Sequence, residues 1–125
     1  MSAVVLDAGA FIAVENNDRS TLARLREAHR QGRPLRTSAI VVAQVWRGPR
    51  QANMARLLRS VDVLPVDERI GREAGALLAK THTADPVDAA LVLTAQNADH
   101  ILTSDPVDIA VLVSAYGRRV AVVRC

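Results

Sequence analysis

The chain has 125 residues, half of them hydrophobic, which is enough for one domain with a real core and too little for two. No apolar run approaches the roughly 20 residues that span a bilayer, and the opening "MSAVVLDAGAF" has no basic start and carries Asp7 inside its apolar stretch, so neither an anchor nor a signal peptide is expected. The one cysteine, Cys125, has no disulfide partner, and the three histidines are scattered, which excludes a zinc site of Cys/His spacing. A cytoplasmic protein without a membrane partner is expected.

The net charge of +3 hides an asymmetry. Residues 19–59 hold ten arginines against Glu27 alone, while residues 60–108 hold nine acids against Arg69, Arg72 and Lys80. The first half is suited to polyanions and the second to cations, although solvated helix faces explain the basic half equally well.

In chain order, residues 3–6 ("AVVL") predict a buried strand that ends at Asp7, followed by a short helix to about residue 15. Ser20 suits the cap of a helix over 21–30, closed by Gly32 and Pro34. Residues 34–37 form a possible strand. Ser38 is expected to cap "AIVVAQVWR", which stops at Gly48-Pro49. Gln44 is the one strongly polar residue in that stretch, so a buried amide is expected there that meets polar groups or a ligand, or else is a structural amide bonded to backbone. Residues 50–60 repeat an apolar stripe with arginine between. "VDVLPV" predicts a strand, and Asp67 caps a helix to about residue 80. Two further helices follow with "HILT" as a strand between them, and "RVAVV" closes the chain as a last strand. Short strands alternating with helices of about ten residues predict an α/β domain with a mainly parallel sheet of about five strands and helices on both faces.

The two helices around "HILT" begin alike, "TADPVDAALVLTA" at 83–95 and "TSDPVDIAVLVSA" at 103–115. Asp as cap, Pro at the first position and Asp at the third make good helix starts, and that reading suffices for each. A second reading places them at a ligand crevice. In an open parallel sheet the loops after the strand ends share one edge. Asp7, Asp105 and Asp108 directly follow strands, and Asp85 and Asp88 would join them there. Crowded carboxylates raise each other's pKa unless a cation lies between them, and oxygen ligands of this kind suit Mg2+ or Mn2+. Capping does not explain why Asp7 interrupts an apolar opening, so the metal reading is preferred.

"VVLDAGAFIAVE" and "VDAALVLTAQNADHILTSDPVDI" resemble the acidic motifs of PIN-domain proteins, and more narrowly of VapC-type toxin ribonucleases. The resemblance covers the whole chain, residues 1–125, as a single PIN-like domain. It implies a Mg2+- or Mn2+-dependent endoribonuclease in which Asp7, Asp88 and Asp105 hold metal, with Asp85 and Asp108 as additional acids. The family's usual Glu falls at Gln44, which has no charge and cannot act as a base near neutral pH; Asp85 is a substitute for the missing charge if its helix start lies close. A weakened PIN-like module that binds RNA or a partner is the alternative reading. RNA attraction is expected from Arg47 and Arg50 first and from the arginines of 19–36 second, with little base stacking because Phe11, Trp46 and Tyr116 are the only aromatics. The resemblance also implies a small antitoxin partner, with Leu22, Leu25, Leu57 and Leu58 either receiving it or serving as ordinary core. Homodimers are common among such domains. A receiver-like pocket would need a lysine beside the acids, and the sole lysine, Lys80, precedes them.

Overall fold

A computed structural model describes residues 2–125. Five strands form one sheet: β1 Val4–Leu6, β2 Leu35–Ser38, β3 Val61–Leu64, β4 His100–Thr103 and β5 Ala121–Arg124. Seven helices connect them: α1 Ala8–Glu15, α2 Arg19–Arg30, α3 Ala39–Val45, α4 Ala52–Leu58, α5 Glu68–Thr81, α6 Pro86–Leu93 and α7 Pro106–Tyr116. The strand order is β3-β2-β1-β4-β5 and every pairing is parallel.

Parallel strands need crossovers, and right-handed crossovers fix which face each helix covers. The chain winds outward from β1 to β3, then returns past β1 to β4 and β5. The helices therefore divide: α1 packs with α2 and α4, while α5, α6 and α7 pack with one another. The winding reverses between β1 and β4, and in such sheets the crevice opens at that switch point, beyond the strand ends. The expected α/β architecture with a parallel five-stranded sheet is the observed one.

The central strand β1 is buried along its whole length, and Leu6, Phe11, Leu91, Ile101 and Ile109 lie at the centre of the core. Among the described residues no helix is long and apolar enough to cross a membrane.

Several local expectations need correction. Asp18, not Ser20, caps α2: its Oδ2 accepts from the Thr21 amide (3.0 Å) and the Thr21 hydroxyl (2.8 Å). Ser38 stands at the cap position of α3 but makes no side-chain cap bond. That helix ends at Val45, before Gly48, because the Gln51 side chain takes over the turn. Its Nε2 donates to the Val45 carbonyl (2.9 Å) and its Oε1 accepts from the Arg47 amide (2.6 Å). Asp67 caps α5 as expected, through the Ile70 amide.

The basic half also serves the fold. Arg36 donates to buried Asp99 (2.8 Å) and to the Thr94 carbonyl (3.0 Å). Asp99 in turn accepts from the amides of Ala3 (2.7 Å) and Gln96 (2.8 Å). Arg33 donates to the carbonyls of Ser2 and Ala3. These two arginines are tied to the N-terminal ends of the strands, so they leave the group expected to attract RNA. Breaking a buried, hydrogen-bonded pair strands the remaining partner. Asp99→Ala is therefore expected to cost about 3 kcal/mol in urea denaturation. A loss within experimental error would show that this network does not hold the sheet edge.

Candidate metal centre

Asp7 follows β1 and caps α1. Its Oδ1 accepts from the Ala8 amide (2.7 Å), and its Oδ2 accepts from the hydroxyl of Thr103, the last residue of β4 (2.6 Å). Both groups are buried. The bond crosses between the two strands that flank the switch point.

Asp88 stands in the first turn of α6, while Asp105 and Asp108 stand at and just inside the start of α7. One carboxylate oxygen from each of these three lies within 4.8 Å of the other two. Asp88 is half-buried and the other two are exposed. Burial pushes the Asp88 carboxyl up to about 7, helped by the charges of Asp85, Asp7, Asp105 and Asp108 in that order. The charge of Asp108 is the main cause that raises Asp105. The charges of Asp7, Asp85, Asp105 and Asp108 all bear on Asp88, but only Asp88, Asp105 and Asp108 bring carboxylate oxygens within 4.8 Å of one another; Asp7 and Asp85 stand outside that trio.

They are not equivalent. Asp85 works as a helix cap, with Oδ1 accepting from the amides of Val87 (2.9 Å) and Asp88 (3.2 Å). Asp105 heads α7 without any side-chain cap bond, so its carboxylate is not spent on the helix. Asp108, treated from sequence as an additional acid, belongs to the tight trio. Thr103 was not singled out at all; the signal for it was its place as the last strand residue before "SDPVD". Gly9 faces the same turn, since a Cβ there would meet Ser104 Oγ at 2.4 Å and the Ser104 amide nitrogen at 3.0 Å.

The expected burial of Gln44 is not observed. Its side chain is exposed on α3 and, among the described residues, makes no hydrogen bond to the acids. A seven-residue helix with Ile40 also 37% exposed does not bury every position of its apolar run. Arg47 and Arg50, just beyond α3, are exposed; Arg47 donates to the carbonyls of Ala43 and Trp46.

On the face formed by α2 and α4 lies an open groove of about 760 Å³, with Val14, Leu22, Leu25 and Leu57 in its lining and Arg26 and Arg56 beside them. Leu25 is core, and Leu22, Leu57 and Leu58 pack partly against it. The leucines are thus both core and, except for Leu58, groove lining.

The profile of the PIN domain family matches residues 4–111. The chain belongs to the PIN domain family. A solved structure with the same fold is that of VapBC2 from Rickettsia felis bound to a DNA fragment from their promoter. The superposition covers 98% of each chain with a TM-score of 0.64, at 10% sequence identity, a level at which the likeness speaks for the fold alone. No curated protein matches this PIN domain in sequence.

The donor set fits a hard divalent cation, because three carboxylates from two helix starts converge with no cationic side chain paired to them among the described residues. Without a cation, Asp88 carries a linkage cost. Its folded pKa lies above the ordinary 3.8, so between pH 3.8 and about 7 the folded form keeps a proton that the unfolded chain releases. Metal-free stability therefore falls as pH rises through that window, and the full penalty applies above it. Screening by partial exposure limits the effect to about 1–2 kcal/mol. Asp88→Asn is expected to remove this slope and to raise Tm at pH 8 by about 5 °C in metal-free buffer. Parallel pH profiles for the two proteins would contradict that origin.

Proposed function

We propose that the whole chain, residues 1–125, acts as a single PIN domain that cleaves RNA phosphodiester bonds with Mg2+ or Mn2+, as the toxin of a VapBC-type toxin–antitoxin pair in the cytoplasm. The observation that carries the reading is the carboxylate trio of Asp88, Asp105 and Asp108 at the sheet's switch point. Family membership supports a nuclease, and VapBC2, which has this fold, is the precedent for the toxin reading.

In this reading Asp88 and Asp105 hold the ion, with Asp108 beside them. Asp7 belongs to the same set: each of its oxygens accepts one hydrogen bond and keeps a second lone pair. When bound, the ion supplies Lewis acidity that acidifies water and offsets charge on the leaving oxygen. A carboxylate of the group accepts the proton, and Asp85 adds negative charge beside Asp88. Arg47 and Arg50 attract the phosphate backbone, which makes binding salt-dependent. Phe11 is fully buried, which leaves Trp46 and Tyr116 as the aromatics within reach of solvent, so backbone and shape dominate recognition.

The groove between α2 and α4 receives the antitoxin, with apolar side chains of the partner on Leu22 and Leu57 and acidic ones near Arg26 and Arg56. Leu57→Glu is expected to weaken the toxin–antitoxin complex at least about tenfold in a pull-down titration while RNA cleavage by the free protein persists. Unchanged binding would place the partner elsewhere.

Gln44 favours one second reading, an RNA- or partner-binding module without turnover, because the position has no charge to contribute. Incubating antitoxin-free protein with a mixed RNA pool separates the two. Cleavage is expected with Mg2+ or Mn2+ and not with a chelator, and Asp88→Ala and Asp105→Ala should each lower it at least about 100-fold. Gln44→Glu should raise it. Identical residual cutting by wild type and both alanine variants would favour the binding module.

A further inference from the structure

The same six-residue pattern, Thr-x-Asp-Pro-Val-Asp, starts both α6 and α7, yet the two starts are built differently. Asp85 (φ −95°, ψ 100°) turns its carboxylate onto the Val87 and Asp88 amides. Asp105 (φ −127°, ψ 58°) occupies the equivalent place before Pro106, and its carboxylate accepts none of the helix amides. Identical tetrapeptides cannot cause that difference.

The threonine two residues earlier does differ in its setting. Thr83 is exposed, with its hydroxyl 2.6 Å from that of Thr81. Thr103 is fully buried at the end of β4. Its hydroxyl donates to Asp7 Oδ2 (2.6 Å) and accepts from the Asp105 amide (3.0 Å). The turn is also seated against α1, where a Cβ at position 9 would meet the Ser104 side chain, at 2.4 Å from Oγ and 2.7 Å from Cβ.

The geometry points to Thr103 as a positioning residue: anchored on Asp7, its hydroxyl holds the Asp105 amide and so turns the Asp105 carboxylate away from the helix it would cap, into the group with Asp88 and Asp108. The role of that group as a cation site rests on the proposed function; the release of Asp105 from capping does not. One buried hydroxyl thus links the acid after β1 to the acid after β4. A valine of the same shape cannot make either bond, whereas serine can make both.

The test uses the metal-free full chain, with Thr103→Val and Thr103→Ser compared by amide NMR and by Mn2+ titration calorimetry. In Thr103→Val the Val107 and Asp108 amide resonances should move downfield as Asp105 becomes a cap, and Mn2+ affinity should fall about tenfold or more. Thr103→Ser should keep wild-type resonances and affinity. A valine variant with unchanged resonances and unchanged affinity overturns the inference, as does a serine variant that behaves like valine. Moved resonances in a protein whose wild type does not bind Mn2+ would support the positioning role and overturn the cation site. Wild type alone supplies a check that does not depend on a variant folding: the Asp105 amide should exchange slowly with solvent and the Asp85 amide quickly. Equal exchange at the two positions overturns the inference.

Discussion

All five strands point the same way, so every segment that leaves a strand's carboxyl end begins at one edge of the sheet, and between β1 and β4 the reversed winding opens that edge into a crevice. Asp105 and Asp108, which follow β4, meet Asp88 from the start of α6 there. Burial first, and the like charges around it second, oppose ionisation of Asp88 there and push its carboxyl up to about 7. The arrangement resembles a socket that is costly when left to itself and favourable around a divalent ion. A helix cap would need one acid per helix; two helix starts that bring Asp88, Asp105 and Asp108 together exceed that need.

The opposite end of the sheet shows how the same chain treats an acid with a purely structural task. Asp99 is buried, accepts two backbone amides and faces Arg36, so its charge is fully answered within the protein. Among the described residues, the acids of the crevice have no such cationic counterpart. Asp85 is partly answered by its helix, and Asp7 by Thr103 and the Ala8 amide. The distinction between a structural and a functional carboxylate in this fold lies in that accounting of partners rather than in burial alone.

Much of the plan was legible in the chain because it depends on local chemistry. An apolar run that ends at Asp7, the strand "HILT" followed at once by acids, and Asp67 before an amphipathic helix all announce their roles within a few residues. What was not legible depends on distant partners. The pairing of Arg36 with Asp99 joins residues 63 positions apart, so an arginine anchored to the fold looked like one free for RNA. Gln44 looked buried because its neighbours are apolar, but a short helix beside the crevice leaves part of that run open to solvent. The unequal behaviour of two identical tetrapeptides was beyond any local reading, since it comes from a threonine bonded to an aspartate 96 positions away.

The claim at the centre of this account is that the crevice carboxylates hold one divalent ion or a pair. The most direct measurement is a crystal structure grown with Mn2+, with anomalous diffraction recorded on either side of the manganese edge. The account predicts an anomalous peak between the carboxylates of Asp88, Asp105 and Asp108, with oxygen distances near 2.1–2.2 Å, about what is expected for a hard cation of this size. A clean map in that crevice at millimolar Mn2+, with all three side chains ordered, would contradict it.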